Sequence, residues 1–395
     1  MSEAPRVLMI VRLFHPWIGG TERQAHKLAI ALQAAGTDTR IVTGRWFRGT
    51  ARAEVLDGVP ITRVFTMWEG FGVRGLRRVG GYLFVVTLSW HLWRRRGDYD
   101  VIHVHGLNYH TAVAVAVGHR LGKPVLAKLA NSGPASDIGK LARSQQLPLS
   151  GHFLPTALGC DRFVALNPTI VEELAAVGVA RDCIVEIPNG VVVPPMTESF
   201  DAVSARRVVL FVGRLHEQKN LDVLIRAARV IEDRRPGAAI VRLVGDGPER
   251  ARLEALSAAS GLGGVVDFAG SSDAVEEELR AAAVFVLPSS AEGLSNALLE
   301  AMAAALAVVV SDIPGNRDVV THEVDGLCVP PGDHEAVAEA IISLLDDPVL
   351  ARRLGTAARE HAQSRYGADA VARRYLQVYA ELVGGVRDGE LVGAP

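Results

Sequence analysis

Cysteine is nearly absent from this chain of 395 residues. The three present, Cys160, Cys183 and Cys328, are scattered. They show neither the spacing of a metal site nor a disulfide framework, so a reducing, cytoplasmic setting is expected. Lysine is scarce as well, with only Lys27, Lys123, Lys128, Lys140 and Lys219 in a chain otherwise rich in arginine. There is no basic excess. The formal charge is −2, which leaves nucleic acid without an electrostatic footprint to bind. No apolar run is long enough to cross a bilayer. The best candidate, residues 79–93 (VGGYLFVVTLSWHLW), falls short of the roughly 20 residues a span needs. Arg74, Arg77 and Arg78 precede it and Arg94, Arg95 and Arg96 follow. It therefore reads as a helix buried in its domain or, as the alternative, one resting on the anionic cytoplasmic face of a membrane. No signal peptide is expected, because the apolar run at Val7 to Val11 is broken at once by Arg12.

What is present is material for large cores: 49% of residues are hydrophobic and 22% charged. Short apolar runs at 6–12, 40–43, 59–64, 101–104, 125–129 and 162–166 alternate with helical spacing such as Ala25, Leu28, Ala29 and Leu32. That alternation predicts a doubly wound α/β domain. A turn signal, Pro188-Asn189-Gly190, and a linker over 194–204 follow. The pattern then restarts, with runs at 208–212, 240–244, 265–268, 284–287 and 307–310. Domains are expected at 1–193 and 204–367, then a last helix at 368–384 and a loose tail. In such sheets ligands sit at the carboxyl ends of strands. Gly19-Gly20-Thr21-Glu22 occupies that place after the first strand, and His105 ends the strand that carries His103.

The most informative stretch is Glu292 to Ala303, EGLSNALLEAMA. A buried strand ends before it and a helix begins near Ser295 or Asn296, both good capping residues. The new helix terminus is a natural seat for phosphate. Were the span fully helical, Glu292 and Glu300 would lie about 12 Å apart, the scale of a sugar–diphosphate–ribose. Glu300 sits among Leu298, Leu299, Ala301 and Met302, where a carboxylate needs a partner. A second stretch, Gly213-Arg214-Leu215 to Lys219-Asn220, places two cations between a strand end and a helix start.

Glu292-Gly293-Leu294 to Glu300-Ala301-Met302-Ala303 resembles the Glu-x7-Glu motif of the family-four retaining glycosyltransferases, which have the two-domain GT-B fold. Gly213-Arg214-Leu215 to Lys219 resembles that family's Gly-Arg-Leu-x4-Lys motif, and Gly19-Gly20-Thr21-Glu22 its Gly-Gly-x-Glu. The resemblance runs over nearly the whole chain. It implies two Rossmann-like domains facing a cleft, with the C-terminal helix crossing back to the first. It implies transfer of a sugar, with retention and without a metal, from a UDP- or GDP-sugar to a glycan, lipid-linked or small-molecule hydroxyl acceptor. Arg214, Lys219 and Glu292 are then catalytic. Gly19, Gly20, Gly213, Gly270, Gly293, Leu294, Ser295, Asn296 and Glu300 bind the donor, and Glu22, His105 and Asn131 face the sugar or acceptor. Asn131 stands where many members have a histidine, and it cannot act as an acid or base near neutral pH. An epimerase or phosphorylase on the same fold, or a non-catalytic binding subunit, are the alternatives.

Overall fold

The computed structural model describes residues 4–16, 19–67, 74–131, 133, 136–143, 150–195 and 207–387, with the side chains of 74–78, 150, 386 and 387 left out of the description. Most of the expected linker, the end of the expected tail and the side chains of Arg74, Arg77 and Arg78 lie outside it. The chain divides into two compact units, residues 1–190 with 368–395, and residues 191–367.

Unit 1 runs β1 (Val7–Val11), α1 (Gly20–Ala34), β2 (Thr39–Gly44), β3 (Ala53–Leu56), β4 (Val59–Val64), α2 (Arg74–Arg94), β5 (Val101–His105), α3 (Tyr109–Arg120), β6 (Val125–Lys128), α4 (Asp137–Ala142), α5 (Phe153–Ala157), β7 (Arg162–Ala165), α6 (Pro168–Ala176) and β8 (Ile184–Glu186). Unit 2 continues with β9 (Val208–Val212), α7 (Leu221–Arg234), β10 (Ile240–Val244), α8 (Arg250–Ala259), β11 (Val266–Gly270), α9 (Val275–Ala281), β12 (Ala282–Leu287), α10 (Asn296–Ala303), β13 (Ala307–Ser311), α11 (Pro314–Arg317), β14 (Leu327–Val329), α12 (His334–Asp346) and α13 (Pro348–Tyr366). The last helix, α14 (Ala368–Arg387), belongs to unit 1 and packs on α1.

Among the described residues the unit 1 sheet has the order β3-β4-β2-β1-β5-β6-β7-β8 and the unit 2 sheet β11-β10-β9-β12-β13-β14. Every pairing is parallel except the β3–β4 hairpin at one edge. Both sheets thus reverse direction of growth once, between β1 and β5 in unit 1 and between β9 and β12 in unit 2. At these switch points the connections leave to opposite sides, and a crevice opens above the carboxyl ends. The central strands are buried from end to end, as in Val7–Val11 and Ala307–Ser311. That is why they read as unbroken apolar runs. Helices cover the sheets with one face only. In α7, Leu221, Leu224, Ile225, Ala228 and Ile231 point inward.

Helix α2 departs from the expectation of a buried helix. Phe84, Leu88 and Leu92 are fully buried against unit 1, while Val79, Tyr82, Val86, Trp90 and Trp93 are exposed.

Candidate active site

In unit 2 the sequence-predicted residues converge on the β9/β12 switch point. Lys219 follows β9 in a short 3-10 turn, and Asn220 in the left-handed conformation (φ 52°) starts α7. Glu292 follows β12. The two meet across the switch point, with Lys219 Nζ donating to Glu292 Oε1 at 2.5 Å. The hydroxyl of Ser289 donates to the same oxygen at 2.6 Å. The Glu292 side chain is only 7% exposed, so its charge depends on these donors. The two loops are also tied by Gln218, whose amide donates to Ala291 O at 2.7 Å and whose carbonyl accepts from Ser290 N at 2.9 Å.

Beyond Glu292 the chain enters α10. Ser295 is the N-cap and accepts from Leu298 N at 3.4 Å. The amides of Gly293, Leu294 and Ser295 have no acceptor among the described residues. These three amides form a row of unspent donors that starts one residue beyond a lysine–glutamate pair and leads into the helix. Such a row favours an anion. Glu300 lies half-buried within α10, its neighbours Leu299 and Ala301 packed into the core. Arg214 is exposed in the loop after β9.

Two glycines set this edge. A Cβ on Gly245, whose φ is +141°, would lie 1.9 Å from the carbonyl oxygen of Gly213, so the β9 and β10 loops approach closer than any side chain permits. A Cβ on Gly315 would lie 2.2 Å from the carbonyl oxygen of Glu292. The short helix α11 after β13 therefore presses directly on the Glu292 backbone. Ser311 reinforces this by donating to Ser289 O at 2.5 Å, and Asn316 donates to Ser311 O at 2.9 Å. Gly270 ends β11 and accepts from Gly245 N at 2.7 Å. Ser289, Gln218, Gly245, Ser311 and Asn316 were not singled out from the sequence. The partners of Gln218, Gly245 and Ser311 lie far away along the chain, and only the glycine pair at 245 and 247 left a local trace.

In unit 1, Gly19, Gly20 and Glu22 follow β1 and His105 ends β5, the two strands of the other switch point, while Asn131 follows β6. Gly19 caps α1 and Gly20 begins it. Glu22, in the first turn, is half-buried; burial raises its pKa, and its own backbone amide, Arg12 and the Gly19 backbone oppose that rise. Arg12 also acts on Tyr109 and His110 at the start of α3, an arrangement that sequence reasoning missed. Asn131 is held in place by Asp137: its Nδ2 donates to Asp137 Oδ1 at 2.8 Å.

His105 is a surprise. It lies 3% exposed inside the unit, stacked on His103 at 4.3 Å, and neither ring nitrogen has a partner. His103 shares a 2.7 Å hydrogen bond with the Tyr379 hydroxyl of α14. Lys128 stands beside His105 in the register and over the Tyr375 ring at 5.8 Å. Burial pulls the Lys128 pKa from 10.5 down to about 7. The unfolded chain binds this proton until about pH 10, the folded one only to about 7. Stability therefore rises with pH between those values. Lys128→Met is predicted to flatten that rise, with thermal melts from neutral to alkaline pH as the check. An unchanged slope would mean that Lys128 keeps its proton when folded.

The sequence profile described as glycosyl transferases group 1 matches residues 194–361, and the one described as glycosyltransferase family 4 matches residues 18–193. The chain belongs to the family-four type of GT-B glycosyltransferases. Across its full length it is similar to the 2-deoxystreptamine N-acetyl-D-glucosaminyltransferase of Streptomyces fradiae, 28% identical over 427 residues, covering 99% of this chain and 100% of that one. It is 32% identical over 219 residues to the lipopolysaccharide core biosynthesis glycosyltransferase LpsD of Rhizobium meliloti, covering 55% of this chain and 62% of that one. With some other curated relatives the shared length is also partial, down to 22% of one of them. Among solved structures, Alr3699/HepE of Anabaena in complex with UDP-glucose has the same fold, with a TM-score of 0.72 at 17% identity, over 95% of this chain and 100% of that one. The GT-B glycosyltransferase assignment agrees with the two parallel sheets. No helix among the described residues is long and apolar enough to cross a membrane.

Proposed function

We propose that this glycosyltransferase moves a sugar with retention, and without a metal, from a nucleotide-diphospho-sugar to a hydroxyl acceptor. The observation that carries the reading is the Lys219–Glu292 pair beside the unpartnered amides of Gly293, Leu294 and Ser295, at the switch point of the unit 2 sheet. In this reading Lys219, Arg214 and those amides hold the diphosphate and stabilise the charge that grows on it as the bond to the sugar C1 breaks. Glu292 turns from Lys219 to the hydroxyls of the donor sugar, and Glu300 takes the ribose hydroxyls. The acceptor oxygen bonds to C1 on the face the diphosphate leaves, and its proton passes to a diphosphate oxygen. The UDP-glucose bound by Alr3699/HepE supports a donor of this class. Glu22 of unit 1 is proposed for the acceptor. The names of the relatives favour saccharide-bearing and aminocyclitol acceptors.

The test is nucleotide release over a panel of UDP- and GDP-sugars, with and without EDTA. Slow release from one donor, equal in EDTA, supports the reading. Release abolished by EDTA and restored by a divalent cation overturns the metal-free part. A product of inverted anomeric configuration overturns retention.

A further inference from the structure

We propose that the outer face of α2 is a docking surface for an anionic lipid bilayer. From Val79 to Trp93 every exposed residue is apolar or aromatic: Val79 at 43%, Tyr82 at 36%, Val86 at 64%, Trp90 at 59% and Trp93 at 49%. Steps of three and four residues put them in one stripe, about 21 Å long at the α-helical rise. A water-facing helix carries its charges on that face; from Val79 to Trp93 the exposed residues carry none. The stripe continues onto Phe65, 45% exposed, whose carbonyl accepts from Thr87 of the helix at 2.7 Å. The Trp90 and Trp93 rings lie 5.2 Å apart, and the Arg96 guanidinium sits 5.2 Å over Trp93.

The charge at the end of the stripe identifies the occupant. Arg94, Arg95 and Arg96 are all exposed. Arg95 is paired with Asp98 at 3.1 Å, whereas Arg94 and Arg96 have no carboxylate partner among the described residues. Tryptophan favours the boundary between headgroups and acyl chains, and arginine the anionic headgroups just above it. A helix with its inner face buried in a folded unit and its outer face apolar lies along such a surface rather than through it. A second copy of the chain would cover the apolar stripe but leave the arginines without counter-charge.

The test is flotation of the full chain with vesicles of an equal mixture of phosphatidylcholine and phosphatidylglycerol, and with phosphatidylcholine alone. It is read without sugar nucleotide, so its result is independent of the proposed transfer reaction. The wild type is expected to float with the anionic vesicles only, with a blue shift in tryptophan emission. Trp90→Ser with Trp93→Ser, and separately Arg94→Ser with Arg96→Ser, are each expected to lower the bound fraction about tenfold or more. Both pairs are expected to keep the wild-type melting temperature and nucleotide release. Absence of binding, or binding that ignores lipid charge and the arginines, overturns the proposal. So does a wild-type dimer that Trp90→Ser with Trp93→Ser turns into monomer, because the stripe would then be a self-association face.

Discussion

Lys219→Ala is expected to lower nucleotide release about 10²–10³-fold, the usual effect of removing one preorganised donor from a developing oxyanion. Lys219 sits in the 3-10 turn between β9 and α7 and reaches across to Glu292 after β12. No other lysine follows residue 140, and an arginine fork would not occupy the same point. The substitution also removes the cation from a carboxylate that is 7% exposed. A stability loss of about 1–3 kcal/mol is therefore expected alongside the catalytic one. The two effects separate in the double variant Lys219→Met with Glu292→Gln. It keeps a hydrogen-bonding amide for Ser289 and leaves no buried charge. Its melting temperature should return toward wild type while its turnover stays low. If turnover recovered with stability, Lys219 would be a structural residue.

The second large effect is steric. In Gly245→Ala the new methyl group has no place, since it falls 1.9 Å from a backbone oxygen of Gly213 and the residue has φ +141°. Overpacking and a disfavoured backbone conformation together cost about 3 kcal/mol. For a unit of this size that lowers the melting temperature by about 6–12 °C. Because relief requires the β9 and β10 loops to part, Arg214 and Lys219 shift with them, and nucleotide affinity should fall too. Gly263→Ala is the control: its Cβ meets nothing within 4 Å, and neither stability nor binding should change. A Gly245→Ala protein that melts like wild type would show that the two loops are not packed as described.

Both predictions turn on contacts that local sequence does not display. The strands of the two sheet interiors were legible because a strand buried on both faces is a continuous apolar run, as at Val208–Val212. The start of α10 was legible because capping by Ser295 is a matter of a few residues. Three strands were missed for opposite reasons. β3 at the sheet edge alternates exposed and half-buried residues, and β8 and β14 are only three residues each. At the site, the types of Lys219 and Glu292 stood out, but their pairing over a separation of 73 residues is created by the adjacency of β9 and β12. The sequence places His105 at a strand end, and the resemblance turns it toward the sugar or acceptor. In the folded unit α14 covers that strand, and the last helix of a chain gives no local sign of where it will pack. Helix α2 shows the same limit from the other side, since its apolar composition does not say which of its faces the unit leaves uncovered.

The most direct measurement is calorimetric titration of UDP and of GDP into the wild type and into Lys219→Met. The account predicts that one nucleotide binds the wild type and that its affinity falls about tenfold or more in the variant, the loss of one charge-assisted contact to phosphate. Equal affinity in the two proteins, or no binding of either nucleotide to the wild type, would contradict a diphosphate site built on Lys219 and the start of α10.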